Sequence, residues 1–470
     1  MRKIVFVILV LLLKISVGNS QIFEVDTLQY TGDINKYINI VIMGDGYTSS
    51  EQNNFISDAN NLSGYLLTQV PWINYSNYFN VFAIKIVSPQ SGTKHPNTAS
   101  DCNTASPLVP VSNPSTYLGC CFDSYGIHRL VVPQNTSNVV SVLANDFPQY
   151  DIVLIIANTP YYGGSGGTYA TSTIEKSSPE ITAHEIGHSF AYLADEYYAG
   201  DIYDAEKPNM TQESNPSLIK WKNWIGYKGV GIYQYCCGGS SALWYKPGNN
   251  ICKMQALGLP YCSVCMQAII ESIHSLANPI VSYTPATSTI SSPNQYLNFK
   301  LTELMKPFPN TLNIIWKLDA NVFSNNIDSI QIDQSILAKG THTLIVGVTD
   351  TTSFLRVDNH STIHISTVTW TINKTITGLD LKTVDNKITC SIYPNPSGNI
   401  MNISIDLEKK SNVSIELVSV DGKIIQHVTD KTLDKGNYLN TINIENLVNG
   451  TYFVVFKIDN FSHTETMIKQ

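Results

Sequence analysis

Residues 184–188 read HEIGH, two histidines four apart with a glutamate beside the first. On a helix, positions i and i+4 share a face, so His184 and His188 project one turn above the other. That pair can hold a metal, and Glu185 can take a proton from a water at the same ion without being a ligand itself. Zinc lowers the pKa of such a water toward about 7 and polarises a carbonyl, which makes the pattern one of hydrolysis. The plain alternative is an exposed helix face with two solvated histidines.

A metal held for catalysis needs a third protein donor. Astacin-like and matrix-type metzincins place a glycine three residues and a histidine six residues after the second ligand. Here Ala191 and Ala194 fill those slots, and neither can ligate. Asp195 is the leading candidate, Glu196 is second, and a later carboxylate such as Glu206 or Glu213 is the gluzincin-like alternative. In a straight helix Asp195 would lie about 10 Å beyond His188 along the axis. The helix must therefore end near residues 190–192 and the chain must fold back. Met254 and Met266 are the candidates for a methionine beneath the metal, and Tyr197 and Tyr198 for donors to an oxyanion.

The elements that must position these residues alternate strand and helix. Residues 37–44 and 79–87 read as strands, and 151–158 is an apolar run suited to a strand buried on both faces. Between the first two, Phe55, Ala59, Leu62 and Leu66 keep helical spacing, with Ser49 and Gln52 as a capping box. Residues 135–147 read as a short helix. The glycine-rich YYGGSGG leads to 168–174, an edge-strand candidate. Ser178, Pro179 and Glu180 then open the histidine helix as cap, first turn and acid at its positive end. Beyond residue 279 helical periodicity gives way to short β runs at 312–318, 342–350 and 364–372, as in a sandwich. Asp45, in a GDGY turn, is a turn residue or a contact to an ion or substrate.

The chain has 470 residues, enough for about three domains. Only 14% are charged, and the formal charge of −8 argues against nucleic acid as a partner. Residues 1–20 have Arg2 and Lys3, an apolar run and a small-x-small site, the pattern of a secretory signal too short to span a bilayer. No later segment is apolar enough to span one. Export makes disulfides the default among Cys102, Cys120, Cys121, Cys236, Cys237, Cys252, Cys262 and Cys265, with Cys390 left over. Cys252, Cys262 and Cys265 could instead help hold a structural zinc.

GDGYTSSEQNNF (44–55), the strand ending in SPQSG (88–92), HEIGHSFAYLADEY (184–197) and the later CKM and YCSVC together resemble the IgA-peptidase family of bacterial zinc metallopeptidases. The resemblance covers about residues 35–275. It implies an α/β metzincin-like domain, a mixed sheet with an active-site helix, in which His184, His188 and an acidic third ligand, Asp195, bind Zn2+ and Glu185 is the general base. YPNPSGN (393–399), VDGKII (420–425) and NLVNGTYFVVF (446–456) resemble a type IX secretion sorting domain, which implies export through outer-membrane machinery. The expected organisation is a signal peptide at 1–20, a catalytic domain at 21–278, an Ig-like sandwich at 279–384 and a sorting domain at 385–470. The expected function is secreted zinc endopeptidase, released or held at the cell surface, with protein or peptide substrates. A silent adhesion protein with a structural metal and a hydrolase of non-peptide amides are the alternatives.

Overall fold

The computed structural model describes residues 21–200, 205–374, 389–459 and 461–470. The signal-peptide assignment at 1–20 lies outside the described residues. The chain separates into two compact units, residues 1–374 and 375–470.

The first unit is built on a six-stranded mixed sheet. Its elements are β1 (Val25–Gln29), β2 (Ile38–Asp45), α1 (Gln52–Leu66), β3 (Phe79–Ile84), β4 (Cys120–Cys121), β5 (Val132–Pro133), α2 (Thr136–Asp146), β6 (Ile152–Ala157), β7 (Gly164–Ser165), β8 (Ala170–Ser172), α3 (Ser178–Ala191) and α4 (Ser263–Leu276). The large sheet runs β1-β3-β2-β6-β8-β7, with β4 and β5 forming a separate ribbon. Strands β3, β2, β6 and β8 are parallel, while β1 and β7 are antiparallel at the two edges. Every residue of β2, β3 and β6 is buried, as expected of central strands covered on both faces.

One face carries α1, α3 and α4. The four helix-spaced residues Phe55, Ala59, Leu62 and Leu66 face that core with Trp72, Phe79 and Phe190, whose rings lie 5.2–6.5 Å apart where they meet Phe190. The other face is covered by α2 and by irregular chain carrying Leu118, Phe122 and Val131.

Three local expectations shift. The capping box is Thr48 with Glu51, one residue earlier than Ser49 with Gln52, and Thr48 N–H donates to Glu51 Oε2 at 2.8 Å. A short 3-10 turn there precedes α1, so the capping position moves back. The cap of α3 is likewise Ser177, with Pro179 inside the first turn. The stretch 168–174 is not the edge: β8 is flanked by β6 and by β7, because the glycine-rich stretch itself pairs back as a strand.

Asp45 is fully buried. Its carboxylate accepts from the N–H groups of Leu118 (2.8 Å) and Cys120 (2.7 Å) and from Thr116 Oγ1 (2.9 Å), so it ties the end of β2 to the irregular chain above it.

The remainder of this unit is all β. A three-stranded sheet (280–284, 296–304, 329–333) faces a five-stranded one (289–290, 365–374, 340–350, 312–318, 321–325). Between them Trp316 and Trp370 stack with centroids 5.9 Å apart. Asp350 joins this β part to the α/β part, accepting from Thr311 Oγ1 (2.6 Å), pairing with His274 of α4 (3.1 Å) and bonding Tyr75. The second unit has a three-stranded and a four-stranded sheet with its own apolar core, including Ile403, Ile415, Val454 and Phe456.

Candidate metal centre

Helix α3 presents His184, Glu185 and His188 and then stops. Its last residue is Ala191, and Tyr192 adopts a left-handed conformation (φ 54°, ψ 29°). Leu193 N–H closes the end by donating to Gly187 O at 3.2 Å. The reversal brings Asp195 Oδ1 to 3.0 Å from His184 Nε2 and 3.3 Å from His188 Nε2, and those two nitrogens are 3.0 Å apart.

The hydrogen bonds on the far side of each ring decide what these atoms can do. His184 Nδ1 faces Lys253 O (3.1 Å) and His188 Nδ1 faces Leu193 O (2.6 Å). A carbonyl only accepts, so both Nδ1 atoms carry the proton and both Nε2 atoms of the neutral rings are lone pairs. With both rings neutral, two lone pairs and a carboxylate oxygen converge with no hydrogen-bond donor among them. Such a set suits a divalent cation, and imidazoles oriented by backbone carbonyls are the usual arrangement at zinc. Three donors leave a position open, as catalytic sites do.

Burial works against charge on His188, but without a cation Asp195 and Glu185 raise its imidazole to about 9, so Nε2 would then carry a proton that a bound cation displaces. Burial would also raise Asp195, but the two histidines override it and hold its carboxyl below the usual carboxylate range. Glu185 is pushed up by burial, with the two imidazoles opposing. Its neighbours across the site are glycines for a reason: a Cβ at Gly166 would lie 2.6 Å from His188 Cβ and 2.9 Å from Glu185 Oε2.

The segment after β-ribbon residues 245–246 passes beneath the helix. Met254 is fully buried, and its sulfur would be 3.0 Å from a Cβ at Gly187, so only glycine fits that turn without displacing it. Met254 O accepts from Glu196 N–H at 2.8 Å, and Lys253 pairs with Glu180 in the first turn of α3. Met266 lies on α4, packed against the apolar core.

The other candidates separate. Glu196 turns away from Asp195 to a buried group with Cys252, Cys262 and Cys265, where its Oε1 is 3.3 Å from Cys265 Sγ and 3.1 Å from Asn209 Nδ2. Glu206 binds Lys220 (2.6 Å) and Thr211, and Glu213 accepts from Asn215 N–H. Neither joins the histidines. Tyr197 stacks over His184 (centroids 6.3 Å apart) and its hydroxyl accepts from Arg129 Nη2 at 3.3 Å, whereas Tyr198 is half exposed and packs against Tyr235. Arg129 escaped the sequence reading, because nothing in its local spacing links position 129 to 197.

The expected disulfides do not form among Cys102, Cys120, Cys121, Cys252, Cys262 and Cys265. The sulfurs of Cys252 and Cys265 stand 3.6 Å apart, well beyond the roughly 2.05 Å of a bond, because the thiols gather around a carboxylate rather than in pairs. Among the described residues, three groups of His, Cys, Asp or Glu have donor atoms close enough to hold a metal: this thiol group, the His184–His188–Asp195 group, and His95 with Cys102, Asp123 and His128. No helix among the described residues is long and apolar enough to cross a membrane.

Comparisons with known proteins bear on two segments of the chain. No curated protein matches. Among solved structures, dimeric latent PorU from Porphyromonas gingivalis is 14% identical over 40% of this chain and 20% of its own, with a TM-score of 0.16. The fibronectin(III)-like modules of CbhA from Clostridium thermocellum are 10% identical over 40% of this chain and 93% of theirs, with a TM-score of 0.14. The chain thus spans about a fifth of the PorU chain it matches, and both superpositions are too loose to assign a fold. Residues 391–470 match the secretion system C-terminal sorting domain, which marks proteins exported by the type IX system and released or attached at the cell surface. Residues 27–232, which carry β2, α3, Glu185 and all three converging donors, match the model of the IgA Peptidase M64 family.

Proposed function

We propose that the protein is an exported zinc endopeptidase in which residues 21–278 form a metzincin-like catalytic domain, residues 279–384 an Ig-like module that presents it, and residues 385–470 the export signal. The observation that carries the reading is the convergence of His184 Nε2, His188 Nε2 and Asp195 Oδ1 within 3.0–3.3 Å, with each Nδ1 turned to a backbone carbonyl. Zinc held by these three would supply Lewis acidity toward a scissile carbonyl and its attacking water.

The chain's own groups do the rest. Glu185, raised by burial, accepts the water's proton and passes it to the leaving amine. Tyr197 keeps its hydroxyl proton because burial and Asp195 raise it, and it donates that proton as a hydrogen bond to the oxyanion while accepting from Arg129. The carbonyls of Lys253 and Leu193 hold both rings in the donating orientation.

Incubating the mature protein with unstructured casein tests the reading, with and without a chelator and alongside Glu185→Gln. Chelator-sensitive cleavage, lost in the variant while metal content is unchanged, supports it. Retained metal with no hydrolysis of any polypeptide by the wild type refutes it and favours the adhesion reading. Hydrolysis of small amides alone favours a non-peptide substrate.

A further inference from the structure

Residues 85–131, from β3 to the start of β5, contain little regular structure: 3-10 turns at Cys102–Thr104 and Ser124–Gly126 and the two-residue β4. So long a stretch needs another source of order. Asp45 supplies one anchor, at residues 116–120. Around it four side chains of the same segment, His95, Cys102, Asp123 and His128, meet with exposures of 1–8% and ligand atoms all within 4.8 Å of one another.

Asp123 Oδ1 is 2.9 Å from His128 Nδ1, 3.3 Å from Cys102 Sγ and 3.5 Å from His95 Nε2, and Cys102 Sγ is 3.8 Å from His95 Nε2. A tetrahedral zinc with bonds of about 2.0–2.3 Å sets its donors roughly 3.3–3.8 Å apart, close to this arrangement. The outer contacts are those of a ligand set. His95 Nδ1 donates to Pro110 O (3.0 Å), which leaves Nε2 a lone pair, and Asp123 Oδ2 accepts from Thr98 N–H (2.7 Å), which leaves Oδ1 for the centre. Protons alone can satisfy the cluster, His128 Nδ1–H donating to Asp123 Oδ1 and the Cys102 thiol to His95 Nε2, so it is the tetrahedral spacing of four buried metal-binding side chains that points to a cation.

We propose that His95, Cys102, Asp123 and His128 form a structural zinc site, closed by four protein donors, that staples the 85–131 segment. Two imidazoles, a thiolate and a carboxylate suit zinc rather than calcium or magnesium, which take oxygen ligands. Binding deprotonates Cys102, with the proton released to solvent. The staple also reaches the metal centre. Arg129 follows His128 directly, its carbonyl accepts from Gly164 N–H at 3.1 Å, and its guanidinium donates to Tyr197. The site therefore sets where Arg129 stands beside Tyr197.

Zinc content of the full mature chain, measured by native mass spectrometry, tests this as a difference from wild type, since the Cys252 group can itself take up metal. Cys102→Ser and His128→Gln are expected to carry one zinc fewer than wild type, while Asp195→Asn keeps that zinc. Limited proteolysis of the two variants is expected to nick within 85–131 at least tenfold faster. Crystals of wild type grown without added metal are expected to give an anomalous peak at the zinc edge amid the four donors, a readout that requires no variant to fold. Wild-type zinc content in a folded Cys102→Ser, or no anomalous peak between the four side chains, overturns the proposal whatever the fate of the peptidase reading.

Discussion

At the scale of single residues, the converging donors and the groups beside them have separable effects. Tyr197→Phe removes one oxyanion donor and leaves the three converging atoms in place, so kcat is expected to fall by about 10²-fold with little change in KM. Steady-state kinetics on a fluorogenic peptide checks the split; an equal rise in KM with kcat unchanged would place Tyr197 in substrate binding instead. His184, Glu185, His188 and Asp195 were all legible in the sequence as candidates, because helical spacing and the reach of an aspartate restrict the geometry. Glu196 stood second to Asp195 there. Which of two adjacent acids turns toward the histidines depends on Met254 and Asn209, which bind Glu196 from other parts of the chain. Arg129 and the His95–Cys102–Asp123–His128 group were invisible for a similar reason: their partners are brought together by an irregular loop that has no period to read.

At the scale of elements, the end of α3 followed from distance alone, since a straight helix would carry Asp195 too far from His188. The left-handed residue that ends it is Tyr192. Tyr192 is 65% exposed, so its side chain contributes little packing to offset the backbone strain. Tyr192→Gly is therefore expected to stabilise the protein by about 0.5–1 kcal/mol, read as a raised Tm with activity retained. Asp45 acts in the opposite sense. Asp45→Ala leaves the buried N–H groups of Leu118 and Cys120 without acceptors and is expected to cost about 2–4 kcal/mol. Calorimetry of the two variants tests both signs. Strands β2, β3 and β6 were legible as apolar runs, whereas the edge was misplaced because the glycine-rich residues 163–167 give no strand signal, and it is pairing to β8 that makes Gly164–Ser165 a strand.

At the scale of the whole molecule, the two units have separate cores, so a chain ending at Lys374 is expected to keep casein hydrolysis and the melting transition of its unit. Loss of hydrolysis on truncation would assign residues 375–470 a role beyond export. Within the first unit, Asp350 makes acid stability predictable. Burial would raise its carboxyl, but His274, Thr311 and Tyr75 outweigh that and hold it below its ordinary 3.8. A carboxyl depressed in the folded state contributes stability that is complete above 3.8 and is lost as pH falls through the lower folded value. Thermal melts between neutral pH and pH 3 are expected to show this loss, and Asp350→Asn should be less stable at neutrality with a flatter acid limb. The β texture of 312–374 was legible from alternation, but its attachment to the α/β part was not, since Tyr75, His274 and Asp350 are far apart in sequence.

Ala194 has one further implication. Its N–H and C=O are both held by Asn209, at 2.7 and 2.9 Å, and its methyl sits among Met210 and Tyr235. Transplanting an imidazole to position 194, to imitate the three-histidine enzymes, would bury it in an oily niche instead of completing a metal grip. A redesign toward that ligand set would have to rebuild the chain around residue 209 first.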